Sequence, residues 1–183
     1  MSQNRIYLCL AHMSGDEQKF IQEAFDTNWV APLGPNVDAF ETELENYVSE
    51  NKKVVALTSG TSAIHLALVA CGVKAGDEVI TQSFTFCASS NPITYLGATP
   101  IFIDSERDTW NIDPQLLEEA IKDRITKTGK KPKAIITVSI YGMPYKIDEI
   151  AEIANRYEIP IIEDAADAFG SKYKGQVLGT FGK

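Results

Sequence analysis

Hydrophobic positions follow two regimes along the chain. Up to about residue 50 they recur at helical intervals. Ser14-Gly15-Asp16-Glu17 has the Ser-to-Glu spacing of a capping box, and Phe20, Ile21 and Phe25 follow on one helical face. Asp26-Thr27-Asn28 ends that helix. Trp29 to Pro35 holds two prolines and a glycine, which predicts a loop. A second helix is expected from Asn36 as N-cap, with Val37, Phe40, Leu44 and Tyr47 spaced three and four apart.

From Lys53 the pattern changes to short, β-branched apolar runs. Val54–Leu57, Glu78–Ile80, Pro100–Ile103, Ala134–Val138 and Pro160–Ile162 are continuously apolar rather than alternating, which predicts strands covered on both faces. Helical stretches lie between them at about Thr61–Cys71, Phe86–Tyr95, Pro114–Ile125 and Ile147–Tyr157. Gly72 suits a helix C-cap, and Asp113-Pro114 is a helix start with Pro at its first position. The alternation predicts an α/β fold: a mainly parallel, mixed sheet with helices on both faces.

Composition narrows the function classes. The 183 residues carry 17 Lys and Arg against 25 Asp and Glu, a net charge of −8, with 44% hydrophobic residues. Such a chain can bury a core, and without a basic stripe it is a poor partner for nucleic acid or an anionic membrane. No apolar run approaches a membrane span of about 20 residues; Ala63–Val73 is interrupted by His65. Ile6–Ala11 is too brief for a secretory signal, so a cytoplasmic location is expected. Cys9, Cys71 and Cys87 are odd in number and scattered, and His12 and His65 lack metal-ligand spacing, so packed side chains are expected rather than disulfides or a metal site.

In open α/β sheets ligands bind beyond the carboxyl ends of the strands. Three such places carry chemistry. In Thr58-Ser59-Gly60-Thr61-Ser62 a strand runs through small residues into a helix, and backbone amides, hydroxyls and the helix terminus together suit an anion such as a phosphate. Ser-Gly-Thr before a helix is more often a plain N-cap. Neither the Walker loop nor the dinucleotide Gly-x-Gly-x-x-Gly fingerprint is present, which makes a nicotinamide-dependent Rossmann enzyme the least favoured of the rival readings. Glu163-Asp164 closes the strand at Pro160–Ile162, with the two carboxylates expected on opposite faces; one could hold a cationic ring nitrogen, a ribose hydroxyl or a metal, or simply cap the next turn. Gln82–Ser90 offers aromatics on which a flat ligand could stack.

In order, Ala31–Pro35 with Phe40-Glu41, Ser59–Leu68, Phe84–Ser89, Ile103-Asp104, Tyr141-Gly142, Glu163–Ala166 and the hairpin-like Tyr173–Gly182 strongly resemble the DegT/DnrJ/StrS-like nucleotide-sugar aminotransferases, which are pyridoxal-phosphate enzymes of fold type I. The resemblance implies that Gly60, Thr61 and Ser62 bind the phosphate of pyridoxal 5′-phosphate, that Phe86 stacks on its pyridine ring, and that Asp164 is the acid paired with the ring nitrogen. Asp167 stands where relatives often carry His or Gln near the ring, and is included among the cofactor contacts. The implied reaction moves an amino group from glutamate to a nucleotide-linked keto sugar, in a homodimer.

The family's Schiff-base lysine would fall beyond Lys183, one strand and a loop further on. The expectation is therefore residues 1–35 as a helix-and-loop segment and 36–183 as an incomplete large domain, with the small C-terminal domain absent and this chain by itself inactive. Two other activities suit the same residues: a sugar dehydratase of the same fold, which carries His in place of that lysine, and a non-catalytic module that holds the cofactor reversibly.

Overall fold

The computed structural model describes residues 11–48 and 52–182. Most of the Ile6–Ala11 patch, Cys9 and Lys183 lie outside them. The chain divides into two compact units, Met1–Ala56 and Leu57–Lys183.

The first unit holds α1 (Glu17–Asp26) and α2 (Pro35–Val48). The capping box forms only by half. Glu17 accepts from the amides of Ser14 and Gly15 and from the Ser14 hydroxyl, but that hydroxyl accepts from the Asp16 amide rather than from Glu17, and Asp16 stands at the N-cap. The Glu17 backbone amide first, then those donors, hold the Glu17 carboxyl down at about 2. Helix α2 begins one residue before the expected cap. Pro35 occupies its first position, where a missing N–H costs nothing, and the Gly34 carbonyl accepts from Val37 and Asp38. Asn36 is thus inside the helix, and its side chain donates to the Phe20 carbonyl. Val54–Leu57 is not a strand, against expectation. The amides of Val54 and Ala56 donate to the Glu45 and Glu41 carboxylates of α2, so side chains take the place of a ladder partner.

The second unit is built on four parallel strands, β1 (Glu78–Gln82), β2 (Thr99–Ile103), β3 (Ala134–Val138) and β4 (Ile161–Asp164), in the order β2-β1-β3-β4. Helices α3 (Gly60–Ala70), α4 (Asn91–Tyr95), α5 (Pro114–Thr128) and α6 (Ile147–Tyr157) join them, and a small hairpin, β5 (Lys172–Tyr173) with β6 (Gln176–Val177), follows. Alternation along each strand divides its side chains between two cores. Ile80, Ile135 and Ile161 pack with Leu117 and Ile121 of α5 and Ile150 and Ile153 of α6. Val79, Ala134, Ile136 and Ile162 pack with Ile64 and Leu68 of α3 and Ile93 of α4. Each fully buried Ile or Leu of this set contributes about 1.5–3 kcal/mol.

Coverage on both faces holds for β3, whose five residues are all buried, but not throughout β2: this strand is one of the two edges of the sheet among the described residues, and Phe102 is 53% exposed. The helix expected over Phe86–Tyr95 is broken into a 3-10 turn at Cys87–Ser89 and α4. Pro92 explains the break, since it cannot donate to Ala88 and is accommodated only in a first turn. Asp113 caps α5 as expected, accepting from Gln115 and Leu116 at 2.8 and 3.2 Å. No helix among the described residues is long and apolar enough to cross a membrane.

Candidate functional site

The sheet has its switch point between β1 and β3, because the chain leaves β1 toward β2 on one side and returns to β3 on the other. Ligands in open α/β sheets sit at that crevice. Here the two strands pair only from Val79↔Ala134 to Thr81↔Ile136, whereas β1 stays with β2 to Gln82↔Ile103 and β3 with β4 to Val138↔Asp164. Beyond Thr81 the strands part, and side chains fill the gap.

Gln82 fills it from below. Its Oε1 accepts from the amides of Ile112 and Val138, both at 3.3 Å, and its Nε2 donates to the Phe84 carbonyl at 2.9 Å and to Asn111 Oδ1 at 3.4 Å. Asn111 in turn accepts from the Ile140 amide at 3.0 Å and donates to the Met143 carbonyl at 2.9 Å. Both side chains are fully buried and bonded at either end, so they tie together the loops that follow β1, β2 and β3. The β2–α5 loop has its own anchor in Glu106, 7% exposed, which accepts from the amides of Asp108 and Thr109, the Thr109 hydroxyl and Lys146. Burial alone would push this carboxyl up; those four donors outweigh it and hold it at about 2.

Above this floor lie the residues singled out in the sequence. Gly60, Thr61 and Ser62 form the first turn of α3, capped by Ser59, whose hydroxyl accepts from the Ser62 amide at 3.2 Å. Nothing lies within 4 Å of where a Gly60 side chain would begin, so this turn faces open space. The Ser62 hydroxyl is within hydrogen-bond distance of both Thr58 and Ser59. Phe86 leads into the 3-10 turn and is 76% exposed.

Asp164 ends β4 in register with Val138. Alternation sends its side chain to the face of Ile162, where α3 packs against β4 and the 3-10 turn, and sends Glu163 to the other, where it accepts from the Phe181 and Gly182 amides. The expected separation of the two carboxylates is what the structure has. Asp164 Oδ2 accepts from the Ser89 hydroxyl at 2.6 Å, and Oδ1 from the Ala166 amide at 3.2 Å. Next to it Ser139 is fully buried, its amide donating to the Asp164 carbonyl and its hydroxyl without a partner.

Asp167 lies three residues beyond Asp164. Its carboxylate accepts from the Tyr141 amide at 3.3 Å and so holds the β3–α6 loop, where Tyr141 (φ 51°) and Gly142 (φ 82°) are both left-handed. Such a conformation in a bulky aromatic costs on the order of 1–3 kcal/mol and survives where its surroundings enforce it. The Phe84 ring lies edge-on to Tyr141 and to Trp110, which is also left-handed at φ 63°. His65, considered as a metal ligand and rejected, meets the Tyr95 ring edge-on at 6.0 Å. Sequence reasoning passed over Ser89, Asn111 and Ser139 and gave Gln82 no role. The one visible signal was a glutamine ending an apolar strand.

Fold and site define an α/β protein with an open, hydroxyl-rich helix N-terminus and an acid at the carboxyl end of a neighbouring strand. The chain belongs to the DegT/DnrJ/EryC1/StrS aminotransferase family, which it matches over residues 11–183. It is 52% identical over 179 residues to the putative pyridoxal phosphate-dependent aminotransferase EpsN of Bacillus subtilis (strain 168), covering 98% of this chain and 46% of the relative. It is 40% identical over 172 residues to the GDP-perosamine synthase of Escherichia coli O157:H7, covering 93% and 44%. Among solved structures, the aminotransferase from Psychrobacter cryohalolentis superposes with a TM-score of 0.82 at 32% identity, over 93% of this chain and 42% of that one. The fold is that of the fold type I aminotransferases. The chain spans a little under half the length of the relatives it matches.

Proposed function

We infer that the protein is a pyridoxal phosphate-dependent aminotransferase that moves an amino group from glutamate to the keto carbon of a nucleotide-linked sugar, working as a homodimer. The observation that carries this reading is Asp164, held at the end of β4 on the face that also bears the open first turn of α3. Family membership supports the cofactor. Similarity to a GDP-perosamine synthase supports a nucleotide-sugar substrate.

The residues present fit the cofactor chemically. An open helix terminus with the hydroxyls of Thr58, Ser59, Thr61 and Ser62 around it suits a phosphate dianion, a bare aromatic ring suits a flat heterocycle, and a carboxylate suits a cationic ring nitrogen. When bound, the cofactor supplies an electron-withdrawing pyridinium ring next to the carbon that exchanges its amino group. In this reading Gly60, Thr61 and Ser62 hold the phosphate. Phe86 covers one ring face and excludes water from it. Asp164 keeps the proton on the ring nitrogen, since an opposing negative charge favours the protonated form. Asp167 acts one step further back, fixing the Tyr141-Gly142 turn at the rim.

The test is turnover by the purified full-length protein. A visible cofactor absorbance that responds to glutamate, and an amino sugar nucleotide formed from a keto sugar nucleotide, are expected. A colourless protein that forms no amino sugar refutes the reading.

A further inference from the structure

Asp164 is anchored by a directed chain of hydroxyls that the sequence does not announce. A carboxylate only accepts, so the 2.6 Å contact uses the single proton of Ser89. Its length falls in the range of a hydroxyl bonded to an ionised carboxylate. Ser89 Oγ is then free to accept, and Thr85 Oγ1, 2.8 Å away, is the donor to it. The chain runs from Thr85 through Ser89 to Asp164, with Ser89 fully buried. The Ala166 amide takes the other carboxylate oxygen, so the plane of the group is fixed from two sides. All three residues sit where the switch point places a ligand, and Thr85 and Ser89 flank Phe86 in the same loop.

We propose that Ser89, backed by Thr85, is a positioning residue that locks the Asp164 carboxylate toward the cofactor's ring nitrogen. The proposal rests on the cofactor reading above. It differs from a general packing role in one respect: the contribution of Ser89 to ligand binding passes through the contact between Asp164 and the nitrogen. A ring without that nitrogen gains nothing from a locked carboxylate.

The test is equilibrium binding of two probes to the protein: pyridoxal 5′-phosphate, and its analogue with a C–H in place of the ring nitrogen. Ser89→Ala is expected to weaken pyridoxal 5′-phosphate roughly tenfold, as for loss of one hydrogen bond to a charged group. The analogue should bind wild type and Ser89→Ala alike, and Ser89→Thr, which keeps the hydroxyl, should restore the affinity for pyridoxal 5′-phosphate. Thr85→Val removes only the outer donor and should show the same selectivity at about threefold, which keeps the test open if Ser89→Ala does not fold. If the wild type binds both probes and the variants weaken both equally, or neither, the proposal is overturned alone. If the wild type binds neither, the cofactor reading falls and the proposal with it.

Discussion

Replacing Glu106 by Gln should cost the second unit stability in a way that depends on pH. The carboxylate sits almost fully buried in the β2–α5 loop and is held by the amides of Asp108 and Thr109, both at 2.7 Å, the Thr109 hydroxyl and Lys146 at 3.3 Å. Burial works against its charge, but these donors outweigh burial and bring the group from 4.5 to about 2. A depressed folded value stabilises the protein at pH above the unfolded value, and that stabilisation is lost as pH falls through the folded one. A drop of this size is worth on the order of 3 kcal/mol at pH 7, falling to about 1.5 kcal/mol at pH 3. The chain has two tryptophans, so Trp29→Phe leaves Trp110, four residues from Glu106, as the reporter. Urea unfolding followed by its fluorescence should show Glu106→Gln less stable by about 3 kcal/mol at pH 7 with an unchanged m value, and the gap should halve by pH 3. A gap that stays constant between pH 7 and pH 3 refutes the reasoning.

Two further substitutions probe the floor and rim of the site. Gln82→Leu keeps most of the volume but leaves the Ile112 and Val138 amides without their acceptor and the Phe84 carbonyl without its Gln82 donor, so a loss of about 3–5 kcal/mol is expected in urea unfolding. A loss under 1 kcal/mol contradicts the bridging role. Gly142→Ala must adopt φ near 82° and bring its Cβ to 3.1 Å from the Asp167 carbonyl oxygen and 3.2 Å from Ser171 Oγ. About 1–3 kcal/mol should be lost, and an unchanged melting temperature contradicts this.

The sheet was largely legible because its strands are covered on both faces and therefore continuously apolar, as β3 shows. Val54–Leu57 carried the same signature without being a strand. An apolar run of four residues does not reveal whether its amides will meet a neighbouring strand or, as here, the carboxylates of Glu41 and Glu45. The break at Pro92 was readable in principle, since proline cannot donate within a helix. At the site, Gly60–Ser62, Phe86 and Asp164 stood out by residue type at strand ends and by family resemblance. The contacts that organise them did not. Ser89 and Asp164 are 75 residues apart, and Gln82 and Asn111 are 29 apart. Such pairs are set by strand order and by where β1 and β3 part, which no local pattern encodes.

The central claim is a site that holds a phosphorylated pyridine through the α3 terminus and Asp164. Comparing the binding of pyridoxal 5′-phosphate and pyridoxal to the wild type and to Asp164→Asn tests both halves at once. The phosphate should make binding at least about a hundredfold tighter, the equivalent of two charge-assisted hydrogen bonds, and Asp164→Asn should weaken both ligands. Equal affinity for the two ligands, together with an Asp164→Asn variant that binds as the wild type does, would contradict it.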